Sequence, residues 1–565
     1  MLSLLSFLLC FLCVSVHGWL ISGQNSAPTA TTKNGSYVGL FNPTYNQDLF
    51  LGIPFAQPPV GDLRFRNPVS LNTTWEGARS ATQYSAECYG YGSDDWVLGN
   101  PVSEDCLTLN VIRPSGVAAD VQLPVAVWIY GGGYFNGGSL DPRYNMSAII
   151  QESVDMGKPF IGVSMNYRLH AFGFSFGTEI LKAGVTNIGT RDQRLALHWV
   201  QENIEAFGGD PSKVTIWGES AGASSVAVQI LAYGGRDDKL FRAGIEESGG
   251  SVSFSRYLNA SEWDLYYNNI TRATNCSSAP DTLACLRQVP IETLSAVFNS
   301  SATAQVPGWG PHIDNDLLLE SGVKQLREGK FVKVPLLHGT NFDEGTAFGA
   351  RGINTTEQFI AIVMENGPDN ATAQTIAALY PDIPAIGIPA TLHGRPPPSQ
   401  AALGAQYKRA AAYGGDLMQQ APRRFTSQSW ASNNVSSWSY HFNVLVNGVP
   451  VELGATHFQE VAFVYNNVQG LGYDTAVGVN PFANEPESYN RLANIMSRMW
   501  VSFIVDSDPN GNNATSVHWP VYTLDSPQNV VFDTNVTDLL YVEPDYYRAE
   551  GIQYIIDRFI SVYYR

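Results

Sequence analysis

Short apolar runs, each closed by turn residues, recur along the chain with helical stretches between them. Val125 to Tyr130 reads VAVWIY and ends at Gly131-Gly132-Gly133. Phe160 to Tyr167 is the next run, and Val214 to Trp217 stops at Gly218. Ala243 to Glu246, Val334 to Leu337 and Tyr440 to Leu445 continue the series. Between the second and third runs, Arg191 to Phe207 carries Leu195, Trp199 and Ile204 at helical spacing and ends at Gly208-Gly209, as a helix closed by glycine would. Strands apolar at every position are buried on both faces, and strand–helix alternation makes such a sheet mostly parallel. The pattern therefore predicts an α/β fold: a large, mostly parallel central sheet flanked by helices. The Pro-rich segment at Gly394 to Pro398 reads as a surface loop, and Ile552 to Tyr563 as a terminal amphipathic helix.

Composition narrows the function classes. Hydrophobic residues are 44% and charged residues 15%, which suits a large buried core in one domain over residues 19–565. The net charge of −18 repels phosphate backbones, so nucleic acid is not an expected partner. Met1 to Val16 is apolar, without Lys or Arg, and too short to span a bilayer; with Val16-His17-Gly18 before Trp19 it reads as a signal peptide over residues 1–18. No other stretch would form a stable membrane anchor. The remaining cysteines are Cys88, Cys106, Cys276 and Cys285, an even set that an oxidising compartment would pair. Twelve N-x-S/T sequons agree with secretion to the extracellular space: Asn34, Asn72, Asn145, Asn259, Asn269, Asn275, Asn299, Asn354, Asn370, Asn434, Asn513 and Asn535. There is no metal motif, so no metal and no cofactor are expected. Nothing in the sequence sets the oligomeric state.

G-x-S-x-G occurs at Gly173 to Gly177 and at Gly218 to Gly222. A nucleophile elbow needs a strand, a tight turn and a helix, leaving the serine oxygen exposed at the helix N-terminus. Ser220 follows VTIW and precedes Ala223 to Val228, whereas Ser175 follows neither a clean strand end nor a helix start, which assigns it to a loop. Oxyanion donors would come from Ala221 and from the Gly131-Gly132-Gly133 turn. In this kind of enzyme the order is nucleophile, acid, histidine. The acid falls within Asn341 to Gly345, where pattern alone does not separate Asp343 from Glu344. Among the later histidines, His393 sits in the Pro-rich loop and His518 beside Trp519-Pro520. Spacing leaves His441 and His457 both open.

Gly52-Ile53-Pro54-Phe55-Ala56, Leu63-Arg64-Phe65, Ser103-Glu104-Asp105-Cys106-Leu107, Ala206 to Pro211 and Gly218-Glu219-Ser220-Ala221-Gly222 together closely resemble the type-B carboxylesterase/lipase family, its secreted fungal members most of all. The resemblance covers nearly the whole mature chain. It implies the α/β-hydrolase fold and a serine carboxylic ester hydrolase acting on a small-molecule ester. It also implies Ser220 as nucleophile, Glu344 as acid and His457 as base, with Gly132, Gly133 and Ala221 as oxyanion donors. Ser248 and Glu219 would stand behind these residues, Ser248 hydrogen-bonding near the histidine. The cysteines would pair as Cys88–Cys106 and Cys276–Cys285. Phe458, where many relatives have Gly, would reshape the nearby pocket.

The family's lipases carry a mobile lid between the first two cysteines. Here that segment contains Gly90, Gly92, Gly99, Pro101 and Asp94-Asp95, which leaves no room for a long amphipathic lid helix. The expected substrates are soluble short- to medium-chain or bulky-alcohol esters. Alternatives are a lipase or sterol esterase, an acyltransferase of secondary metabolism, or a neuroligin-like binding module. A cholinesterase reading would use Trp96 to hold a cation, with Glu219 adding negative charge.

Overall fold

The computed structural model describes residues 27–92, 99–118, 120–473 and 478–565. The expected leader, Asp94, Asp95 and Trp96 lie outside them.

Eleven strands form one sheet. In chain order they are β1 (Leu40–Asn42), β2 (Gln47–Pro54), β3 (Thr108–Pro114), β4 (Leu123–Ile129), β5 (Ile161–Met165), β6 (Gly209–Glu219), β7 (Ala243–Glu247), β8 (Leu336–Asn341), β9 (Ser437–Phe442), β10 (Gln528–Phe532) and β11 (Leu540–Pro544). Across the sheet the order is β1-β2-β3-β5-β4-β6-β7-β8-β9-β10-β11. From β5 to β10 every neighbouring pair is parallel. The pairs at both edges are antiparallel. This is the α/β-hydrolase architecture: a mixed sheet, parallel in its centre, flanked by helices. Four of those helices matter below: α1 (Ile188–Asn203), α2 (Ala221–Gly235), α3 (Ala421–Ser432) and α4 (Glu487–Asp506).

All six apolar runs fall on strands, though the bounds move. The run at Val334 to Leu337 becomes a strand that starts at Leu336 and continues through His338, Gly339, Thr340 and Asn341, buried throughout. Polar side chains survive there because the interior supplies partners. His338 Nε2 is 2.8 Å from Ser427 Oγ on α3, Thr340 Oγ1 donates to Gln420 Oε1 at 3.0 Å, and Asn341 Nδ2 donates to the Thr456 carbonyl at 2.7 Å. β9 likewise begins at Ser437, three residues before the apolar run that marks it. The helix expected at Arg191 to Phe207 starts at Ile188 and ends in a short 3₁₀ turn, Ile204–Phe207. The C-terminal helix is Ala549–Ile556, shorter than expected.

The cysteines are joined as Cys88–Cys106 and Cys276–Cys285.

Candidate active site

Parallel strands all end on one edge of the sheet, and in open α/β sheets ligands bind there. Four loops meet at that edge, following β4, β6, β8 and β9.

Ser220 sits in the turn from β6 into α2 with φ 56° and ψ −122°, a conformation L-residues rarely adopt. Strain of this kind costs about 1–3 kcal/mol and persists only where the surroundings impose it. Here the Ser220 amide donates to the Glu247 carbonyl at 2.8 Å, and the Ser224 amide donates to the Ser220 carbonyl at 3.0 Å. Gly218 and Gly222 are required by close approach. A Cβ on Gly222 would lie 2.0 Å from the Ile129 carbonyl of β4, and one on Gly218 would lie 2.4 Å from the Gly222 backbone. The elbow is thus pressed against the end of the neighbouring strand, and the serine is its half-buried apex. Ser175 differs. It caps a short helix, His170–Phe174, and its hydroxyl donates to the Ala171 carbonyl at 2.6 Å.

The Gly131-Gly132-Gly133 turn lies beside this apex: a Cβ on Gly131 would be 3.0 Å from Ser220 Cβ. Gly132 and Gly133 adopt φ 89° and 62°. Ala221, fully buried, is the first residue of α2.

Asp343 and Glu344 separate cleanly. Glu344 is fully buried; its Oε2 accepts from His457 Nδ1 at 2.7 Å and its Oε1 accepts the Asn341 amide at 2.9 Å. Asp343 Oδ2 instead accepts the Ala455 amide at 2.9 Å. The other ring nitrogen of His457, Nε2, lies 3.2 Å from Glu219 Oε1, and Glu219 is the residue before Ser220. Phe348 packs edge-on against the imidazole, with ring centres 4.7 Å apart. His441 points elsewhere, with Nδ1 2.8 Å from Glu543 and Nε2 3.0 Å from Gln420. His393 and His518 are exposed.

One carboxylate near the imidazole carried no sequence signal. Glu460, fully buried, accepts the Ser248 hydroxyl at 3.1 Å and Asn341 Nδ2 at 2.6 Å. Asn341 links that carboxylate to the loop bearing His457 through the Thr456 carbonyl. Burial works against the imidazolium of His457, but the carboxylates of Glu344, Glu219 and Glu460 outweigh it and push its pKa up. Burial raises Glu219 well above the usual carboxylate range, with Glu460 and Glu344 adding repulsion.

A cleft of about 330 Å³ opens from Ser220 and Gly133, walled by Val228, Leu231, Phe254, Trp309 and Phe348 among others. Phe458 is not part of that wall. It holds φ 78° and packs against Tyr144 with the Arg143 guanidinium 5.1 Å from its ring centre. Of the sequon asparagines, Asn34, Asn145 and Asn269 are half-buried and the other nine exposed. Among the described residues no helix is long and apolar enough to cross a membrane, and no group of side chains could hold a metal ion.

Residues 26–547 match the family model described as the carboxylesterase family. The chain belongs to the carboxylesterase family. It is 34% identical to Lipase 2 of Geotrichum candidum, an alignment covering 89% of this chain and 91% of that one. It is 35% identical to Secreted lipase 1 of Botryotinia fuckeliana, covering 89% of each. Among solved structures it resembles Aspergillus niger EstA, with TM-score 0.78 and 28% identity over 95% of this chain and 99% of that one. A thermophilic PNB esterase gives TM-score 0.75 and 27% identity over 94% and 100%. This carboxylesterase is accordingly a serine carboxylic ester hydrolase, and its substrates are esters.

Proposed function

We propose that this carboxylesterase is secreted and hydrolyses soluble short- to medium-chain or bulky-alcohol esters through Ser220, His457 and Glu344. The observation that carries the assignment is the span of the imidazole: Nδ1 is on Glu344 and Nε2 faces Glu219, the residue adjoining Ser220. In that orientation Nε2 takes the proton of the Ser220 hydroxyl as its oxygen attacks the ester carbonyl. Glu344 fixes the Nδ1–H tautomer and stabilises the imidazolium. Amides of Gly132, Gly133 and Ala221 receive the developing oxyanion; each donor of this kind is worth about 3–4 kcal/mol of barrier. The alcohol leaves with the proton from His457, water enters by the same route, and the acyl-enzyme is hydrolysed.

The size of the cleft supports the substrate class. At about 330 Å³ the cleft is at the small end of the roughly 300–1,000 Å³ range of ligand pockets, which favours compact acyl groups. The described arms of the Cys88–Cys106 segment are also bonded to the body, which disfavours a swinging lid. The Tyr91 amide donates to the Phe135 carbonyl at 2.8 Å, Tyr91 Oη donates to Ser295 at 3.1 Å, and the Glu87 amide donates to the Pro101 carbonyl at 2.8 Å. Secretion is supported by the paired cysteines and by relatives whose names carry the word secreted. A lipase is the second reading, favoured by the names of the listed fungal relatives. Rate against tributyrin concentration, followed across its solubility limit, separates the two. Saturation without a jump supports the esterase. A sharp rise on emulsion formation, or triolein turned over faster than soluble butyrates, defeats it.

A further inference from the structure

His312 forms part of the wall of the cleft that opens from Ser220, and only 6% of its surface is exposed. Its Nε2 lies 3.3 Å from the Phe174 carbonyl. A carbonyl oxygen only accepts, so Nε2 carries the proton and Nδ1 is left as a bare acceptor. Nδ1 has no partner among the described residues. Burial lowers the pKa to about 4, against small opposing effects of the Phe174 carbonyl and Asp314, so the ring is neutral where esterases work.

The ring is held in place from three sides. It stacks on Phe176 at 4.4 Å and 6°, and meets the edge of Trp263 at 5.3 Å and 81°. Its backbone exchanges two hydrogen bonds with one side chain: the His312 amide donates to Asn187 Oδ1 at 2.7 Å, and Asn187 Nδ2 donates to the His312 carbonyl at 2.8 Å. A phenylalanine would fill the space between Phe176 and Trp263 but would leave the Phe174 carbonyl without its donor. That bond accounts for Nε2 and leaves Nδ1 unexplained.

Two hydroxyls of residues in the same wall, Ser224 Oγ and Ser251 Oγ, are also buried without partners. Trp263 and Trp309 also line the cleft, so aromatic side chains and unused polar atoms meet in one wall. An alkyl chain would use only the first.

We propose that the cleft takes acyl groups built on a hydroxylated aromatic ring, and that His312 Nδ1 accepts a hydrogen bond from that ring hydroxyl. The proposal rests on the reading that this cleft receives the acyl half of the ester. A ring with a short linker to the carboxyl suits a compact cleft of about 330 Å³ walled in part by aromatic side chains.

The test compares methyl 3-phenylpropenoate with derivatives carrying a hydroxyl at each ring position, and with the matching methoxy compounds. A methoxy group keeps the oxygen but has no proton to donate. We expect kcat/KM for one hydroxyl isomer to exceed the unsubstituted ester by about tenfold or more, with the methoxy compound falling back to the unsubstituted level. In His312→Phe, which keeps the aromatic stack, the ratio of hydroxyl to unsubstituted ester should drop to about one. If that variant does not fold, the methoxy comparison in the unaltered enzyme decides. Equal kcat/KM for hydroxyl, methoxy and unsubstituted esters, or a preference that persists in folded His312→Phe, overturns the proposal while 4-nitrophenyl butyrate turnover leaves the hydrolase reading intact. Absence of butyrate turnover as well defeats both.

Discussion

Asp343 and Glu344 are neighbours in the chain, yet their carboxylates serve different ends of one loop. Glu344 Oε2 receives His457 Nδ1 at 2.7 Å, and Asp343 Oδ2 receives the Ala455 amide at 2.9 Å. Glu344→Gln presents either a neutral acceptor or a misdirected amide to the imidazole. It should lower kcat by on the order of 10³–10⁴-fold, the range seen when a triad carboxylate becomes an amide. Asp343→Asn keeps an oxygen for the Ala455 amide. Burial lifts the pKa of the Asp343 carboxyl to about 6, so it is ionised at pH 8, but its partner is the Ala455 amide and not the imidazole, and the base keeps Glu344. The variant's kcat should stay within about threefold of the unaltered enzyme. Steady-state kinetics of both variants at pH 8 checks this, and equal damage would mean that the acid is misassigned.

The pH dependence follows from the carboxylates around His457. The base works only when neutral, so kcat/KM falls as pH drops through the imidazole pKa. Glu344, Glu219 and Glu460 favour the protonated ring and raise that pKa, so the acid limb should lie above the ordinary imidazole value of about 6.5. Glu219 and the Nε2 of His457 sit 3.2 Å apart and titrate as a pair, so Glu219→Gln takes away the carboxylate that favours the imidazolium and should move the limb to lower pH. A pH profile of kcat/KM for both enzymes measures the shift. An unmoved limb in the variant would remove Glu219 from the electrostatics of the base.

The elbow glycines predict a stability effect. Gly222→Ala places a Cβ 2.0 Å from the Ile129 carbonyl, where only backbone could yield. The expected loss is about 1–3 kcal/mol, as for other overpacked cores, together with reduced activity as Ser220 is displaced. The urea midpoint and kcat report both. An unchanged midpoint would show that the strand and elbow can move apart.

Much of this was legible in the chain, for identifiable reasons. The strands at Val125, Phe160 and Val214 are buried on both faces, so their apolar runs are continuous and stand out. β8 and β9 are equally buried, but their ends carry His338, Thr340, Asn341, Ser437 and Ser439, each satisfied from elsewhere in the fold or set facing the interior. A reading that equates burial with apolar residues therefore misplaces their bounds. The elbow was visible because its constraints are local. The pairing of acid and base was not, since Glu344 and His457 meet across 113 residues and His441 was equally acceptable by spacing. Glu460 gave no signal at all, because its partners, Ser248 and Asn341, arrive from two other strands' ends.

The claim on which the rest depends is that Ser220 is the nucleophile, and active-site labelling tests it most directly. The intact enzyme would be treated with a fluorophosphonate and the modified peptide mapped by mass spectrometry, alongside Ser220→Ala and Ser175→Ala. The account predicts a single adduct on Ser220, no adduct in Ser220→Ala with kcat reduced on the order of 10⁴–10⁶-fold, and normal labelling in Ser175→Ala. An adduct on Ser175, or an active Ser220→Ala enzyme that still labels, would contradict it.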